Sequence, residues 1–168
     1  MAEITNSNLY HSDTGILPKD ACVVIVRTEW NAAIVDKLEE GCRRVLTEHK
    51  VSFSVITVPG AFEVPFGISA YWNAHHLQHG SRPHAFIALA CVVRGGTPHF
   101  DYVCNGITNG IVQLNLTLPV PSVFGVLTVD NNGQAEERAG GIHGHKGEEA
   151  AITALRMIAL KASFDKDI

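Results

Sequence analysis

No run of this chain approaches the roughly 20 apolar residues that a membrane-spanning helix requires. The polar start, Met1 to Asp20, has no apolar segment of the signal-peptide kind. Cysteine is scarce and unpatterned. Cys22, Cys42, Cys91 and Cys104 form no CxxC pair, and three of them lie in apolar runs, where cysteine acts as a small hydrophobe. These absences predict a soluble, cytoplasmic protein with reduced thiols. There is no basic block either, and the net charge of −4 comes from 17 acidic and 13 basic side chains. Nucleic acid and anionic membranes are therefore not expected partners. No GxxxxGKS/T, no GxGxxG after the first strand and no GxSxG is present, which argues against ATP, dinucleotides and serine hydrolysis. His75, His76 and His79 form HHxxH, but no carboxylate or cysteine stands close by. His143 and His145 are separated by one residue, and HExxH is missing, so no catalytic metal is expected.

What is present suits one enclosed core. A length of 168 residues fits the roughly 100–200 of a typical domain, and 46% hydrophobic residues can fill it without disulfides. Residues 1–20 read as an N-terminal arm and residues 21–168 as a single domain. Ala21 to Val26, Val51 to Val58, Ala85 to Val93 and Val123 to Val129 are apolar or β-branched runs suited to buried strands. Helical spacing follows each of them. Ile34, Leu38, Cys42 and Val45 share a face up to about His49, with Asn31 as the expected cap. Ala61 to Trp72 tolerates Pro65 only near its start, and Asn73 to His84 reads as a polar connection. Val103, Ile107, Ile111 and Leu114 mark a helix that begins near Asp101. A short helix, Gln134 to Ala139, should end at Gly140-Gly141, and the last helix should run from about Gly147 to Ala162. Strand followed by helix, four times over, predicts an α/β fold: a four-stranded parallel sheet in a three-layer α/β/α sandwich. Ligands of such sheets bind beyond the carboxyl ends of the strands.

Four segments fall there: Thr28 to Asn31, Pro59 to Glu63, Arg94 to His99, and the region beyond Val129. Gly95-Gly96 leaves amides open to an anion, and the helix that follows adds partial positive charge. His99 beside such a loop can move protons near neutral pH, although an isolated histidine is more often an inert one. Trp30 is either packing or a flat wall for a heteroaromatic ring. Glu63 is either a helix-dipole partner or an acceptor for ligand hydroxyls. Arg138 follows Glu136 and Glu137 and suits a surface ion pair as well as an anion. Lys146 stands among Gly144, His145 and Gly147, where a phosphate could approach closely.

Several blocks in order across roughly residues 21–160 resemble the 6,7-dimethyl-8-ribityllumazine synthase family of riboflavin biosynthesis. They are Arg27-Thr28-Glu29-Trp30-Asn31, Val58 to Pro65, Val93 to Val103 (VRGGTPHFDYV), Phe124 to Thr128, Gln134 to Gly140 and His145 to Ala151. The resemblance implies a flavodoxin-like fold and no cofactor or metal. It implies condensation of 5-amino-6-ribitylaminouracil with 3,4-dihydroxy-2-butanone 4-phosphate, with loss of phosphate and water. Trp30, Ala61, Phe62, Glu63, Cys91, Val92, Val93 and Phe124 would then hold the pyrimidine and its ribityl chain. Gly96, Thr97, Arg138 and Lys146 would hold the phosphate. His99 would transfer protons, oriented by a carboxylate such as Asp101. The family also implies a homo-oligomer with shared sites, Phe124, Arg138 and Lys146 entering the pocket of a neighbour in a pentamer. Some members assemble twelve pentamers into a 60-subunit shell, and the short Gly140 to Lys146 segment matches those. Trp30 stands where phenylalanine is frequent, His145 where asparagine is common, and Asn73 to His84 is a few residues long for the family. Two other readings use the same fold: a non-catalytic flavin- or lumazine-binding module and a purely structural shell protein.

Overall fold

Alternation along the strands sets the layers. In the computed structural model, which describes residues 13–77 and 82–165, the strands are β1 (Cys22–Thr28), β2 (Ser52–Val58), β3 (Ala85–Val93) and β4 (Ser122–Val129). They form one sheet of order β2-β1-β3-β4, every neighbouring pair parallel. The helices are α1 (Ala32–Glu48), α2 (Val64–His75, entered through a 3-10 turn at Ala61–Glu63), α3 (His99–Thr117), α4 (Asn132–Glu136) and α5 (Lys146–Phe164). Val23, Ile25, Ile87, Leu89 and Leu127 face α1 and α5, packing with Leu38, Leu46, Ala151 and Leu155. Their sequence neighbours Val24, Val26, Phe86, Ala88 and Ala90 face α2 and α3, packing with Ile68, Trp72, Ile107 and Ile111. Side chains alternate across a pleat, so strands covered on both faces must be apolar at nearly every position. The result is the expected three-layer sandwich.

The α1–α5 side closes on a very short contact. A Cβ added at Gly147 would lie 2.0 Å from the Leu38 carbonyl oxygen, so only glycine lets the two backbones approach this closely. The Cys42 thiol donates to the Gly147 carbonyl at 2.9 Å in the same place. At the rim, Arg27 reaches from β1 to α1, with Nη1 2.6 Å from Glu39 and Nη2 2.5 Å from Asp36. Glu39 is only 7% exposed and also accepts from Arg43 Nε at 2.6 Å. A carboxylate this buried requires such pairing.

The path departs from expectation in three places. The short helix after β4 stops at Glu136 rather than Ala139, and the chain turns into a hairpin of β5 (Ala139–Gly141) and β6 (Gly144–His145). Gly140 and Gly144 have φ of 108° and 77°, values that L side chains rarely adopt. The carbonyls of Glu137 and Arg138 accept from His143 and Lys146 at 2.8 and 2.9 Å instead of from a continuing helix. Asn31 precedes α1 but does not cap it through its side chain; it is left-handed, at φ 56° and ψ 40°. Helix α2 continues to His75, into the segment read as a connection. His75 and His76 bond through Nδ1 to the carbonyls of Tyr71 and Trp72; His79 and the first part of the arm, residues 1–12, lie outside the described residues. No helix among the described residues is long and apolar enough to cross a membrane.

Because the nearest atoms to a Gly147 Cβ are backbone, Gly147→Ala should push α1 from α5 and cost roughly 1–3 kcal/mol. Urea unfolding of the two proteins would measure this; an unchanged midpoint would contradict the close approach.

Candidate active site

Strand β1 stays paired with β2 up to Thr28–Val58, and β3 stays paired with β4 up to Val93–Val129, but the β1–β3 pairing ends at Arg27–Leu89. Beyond that point the centre of the sheet splits. Chain order also reverses there, β1 leading to β2 on one side and β3 to β4 on the other, which is where open α/β sheets accept ligands. Asn31 spans the top of the split, its Nδ2 donating to the Cys91 carbonyl at 2.7 Å. The sequence marked Asn31 as a helix cap; its tolerance of left-handed backbone was the signal for this other use.

A cavity of about 590 Å³ occupies the split. From the β1 side come Thr28, Trp30 and Asn31, with Glu29 and Trp30 amides bonded to the Val58 and Pro59 carbonyls at 3.0 and 3.3 Å. Gly60, Ala61, Phe62 and Glu63 enter from the 3-10 turn after β2. Cys91, Val92 and Val93 form the floor, and Gly95, Thr97 and His99 form the far wall. Phe100, Tyr102 and Val103, on the first turns of α3, complete it and were not singled out from sequence. Trp30, Phe62 and Tyr102 are exposed, Trp30 at 73%, an unusual placement for large aromatics.

The Gly95–Gly96 loop is open. A Cβ at either glycine would meet nothing within 4 Å, and among the described residues the amides of Gly95, Gly96 and Thr97 donate to no carbonyl. The loop leads into a 19-residue helix whose first residue is His99, so unbonded N–H groups and the positive end of a long helix coincide. His99 is exposed and its ring has no hydrogen-bond partner among the described residues. The expected orienting contact from Asp101 is not formed. Asp101 instead lies 3.3 Å from Arg94 Nη1, and Arg94 Nε is 2.9 Å from Asp130. Burial pushes the Cys91 thiol up to about 11.

Three of the sequence-assigned residues stand away from this cavity. Phe124 is on β4, one strand farther out, and 41% exposed. Arg138 donates to the Gln134 carbonyl at 2.9 Å, and Lys146 Nζ lies 2.8 Å from both Glu149 oxygens. Of the region beyond Val129, Asp130 reaches Arg94, but none of its described residues lines the cavity. Gly96 belongs to the loop but does not line the cavity. Among the described residues no lysine or arginine lines it.

A sequence model described as 6,7-dimethyl-8-ribityllumazine synthase matches residues 20–162. The chain belongs to the lumazine synthase family. Relatives bearing the full name include a protein of Parabacteroides distasonis, 45% identical over 92% of this chain and 96% of the relative. Another, from Porphyromonas gingivalis, is 50% identical over 85% of this chain and 87% of its own. A third, from Bacteroides fragilis, is 44% identical over 84% and 97%. Membership of the lumazine synthase family makes the chain a transferase of riboflavin biosynthesis and disfavours a non-catalytic flavin-binding role.

With its thiol held up at about 11 by burial, Cys91 carries about one thiolate in a thousand at pH 8. Iodoacetamide should leave Cys91 unlabelled in the native protein and label it in urea, as read by peptide mass spectrometry. Native labelling at the rate of a free thiol would contradict its burial.

Proposed function

We propose that this cavity condenses 5-amino-6-ribitylaminouracil with 3,4-dihydroxy-2-butanone 4-phosphate to give 6,7-dimethyl-8-ribityllumazine. The observation that carries the reading is an aromatic-walled slot joined to an open amide loop, with His99 at the junction. The pyrimidine stacks on Trp30. Past Leu89 the inner edge of β3 is no longer paired, so the N–H and C=O of Val93 are available to the uracil ring. Ala61 and Phe62 flank the ribityl chain and Glu63 accepts from its hydroxyls. The phosphate rests on the Gly96 and Thr97 amides and the Thr97 hydroxyl.

The amine attached to the pyrimidine attacks the ketone, and water leaves as the imine forms. A proton is removed from the adjacent carbon as phosphate departs. The enol so formed tautomerises to a methyl ketone, and the second nitrogen closes the ring on that new carbonyl with loss of another water. His99 moves protons at these steps. Holding both reactants in register supplies most of the acceleration, since positioning can be worth roughly 7–11 kcal/mol.

A bound phosphate is best matched by a fixed cation, and among the described residues no lysine or arginine lines the cavity. We therefore assign Phe124, Arg138 and Lys146 to the cavity of a second copy in a homopentamer, free or built into a 60-subunit shell. The exposed aromatic rim, Trp30, Phe62 and Tyr102, supports that arrangement. Light scattering should then return a multiple of five times 18.2 kDa; a monomer that turns over would refute shared sites. The domain assignment, residues 21–168 after an arm of 1–20, belongs to the same reading.

Mixing the protein with both substrates should produce the fluorescent lumazine and stoichiometric phosphate. No product under conditions where an established synthase turns over would sink the proposal. His99→Asn should lower kcat by roughly tenfold to a hundredfold, the low end for acid–base catalysis because positioning dominates. Arg138→Ala should raise KM for the phosphorylated substrate roughly tenfold or more, the value of a hydrogen bond to a charged group. Its KM for the pyrimidine should change little, and equal effects on both substrates would remove Arg138 from the phosphate.

A further inference from the structure

We propose that Arg94 is the positioning residue for His99: it anchors the start of α3 to the carboxyl ends of β3 and β4, and so fixes the proton-transfer geometry. The inference rests on the reaction proposed above and concerns a residue which that reaction does not use. From its place beside Gly95-Gly96, Arg94 would be taken for a phosphate ligand. Its side chain turns elsewhere. The guanidinium sits 4.1 Å from the centre of the Phe100 ring, with Nε 2.9 Å from Asp130 and Nη1 3.3 Å from Asp101. Its own amide donates to the Val129 carbonyl at 2.8 Å.

These contacts join three elements. Arg94 directly follows β3, Asp130 directly follows β4, and Phe100 and Asp101 are in the first turn of α3 beside His99. The His99 ring has no hydrogen-bond partner among the described residues, and the loop before it is open, since a Cβ added at Gly95 or Gly96 would meet nothing within 4 Å. The position of His99 is thus inherited from the backbone at the start of α3, and the Arg94 side chain restrains that start. A planar guanidinium can stack on Phe100 and bridge two carboxylates together, which an ammonium cannot. The side chains of Arg94, Asp101 and Asp130 are 45%, 56% and 63% exposed. Ion pairs this exposed add little to stability, so their conservation of geometry, not of folding, is what a substitution would reveal.

Arg94→Gln should lower kcat roughly tenfold to a hundredfold, the cost of a misplaced catalytic group. KM for the pyrimidine and the inhibition constant of inorganic phosphate should stay within about twofold, as expected when only transition-state interactions are lost. Asp101→Asn and Asp130→Asn should each show part of the loss, the pair Arg94→Gln/Asp101→Asn no more than Arg94→Gln alone, and Arg94→Lys only partial recovery. An unchanged kcat would reduce Arg94 to a surface ion pair and overturn the proposal. Inhibition by inorganic phosphate weakened about tenfold would also overturn it, by making Arg94 a direct ligand. Wild-type turnover in the same assay tests the reaction separately. A crystal structure of Arg94→Gln decides the geometry whatever the activity: a displaced or disordered His99 supports the anchor, and an unmoved one refutes it.

Discussion

The parting of β1 from β3 is the constraint on which everything functional here depends. Two buried strands share hydrogen bonds as far as Arg27–Leu89 and then separate, each remaining paired with its outer neighbour. The connections leave the two central strands in opposite directions, β1 to β2 and β3 to β4, the switch point at which open α/β sheets accept ligands. The parting opens a cavity without sacrificing the core, since β1 and β3 stay covered on both faces up to the split. It also strips partners from the edge of β3, and Asn31 restores one of them through the Cys91 carbonyl.

The two sides of the sheet carry different duties. On the α1–α5 side the contacts are close and fixed, with Gly147 against Leu38 and Cys42 bonded to Gly147. The α2–α3 side holds the mouth of the cavity, where the 3-10 turn after β2 and the first turn of α3 supply its walls. There the aromatics remain exposed and the loop amides unbonded. A stiff back and an open front suit a catalyst whose main task is to hold two reactants in register. Among the described residues no lysine or arginine lines the cavity, which is why the proposed reaction calls on a second copy of the chain for the phosphate.

Much of this was legible in the residues because parallel strands covered on both faces must be continuous apolar runs. The limits of β3, Ala85–Val93, coincide with the apolar run itself. The loop from Arg94 to His99 could likewise be placed at a strand end from composition alone. What escaped was set by long-range contacts. Asn31 looks like a helix cap until β3 is seen beside it. Asp101, two residues from His99, looks like its partner until Arg94 claims it from across the loop. The β5–β6 hairpin was hidden because Gln134 to Ala139 has helical composition, and only the left-handed Gly140 and Gly144 reveal where the helix gives way.

Trp30 tests the account most directly, because it is one of only two tryptophans, 73% exposed against 8% for Trp72. Titrating the ribitylaminopyrimidine substrate into the protein while following tryptophan emission reads the mouth of the split alone. The account predicts saturable quenching, loss of iodide access to Trp30, and no change in Trp72 emission in a Trp30→Phe variant. Calorimetric binding of the pyrimidine that leaves Trp30 emission and iodide access unaltered would place the substrate elsewhere, and would contradict the claim that the β1–β3 split is the active site.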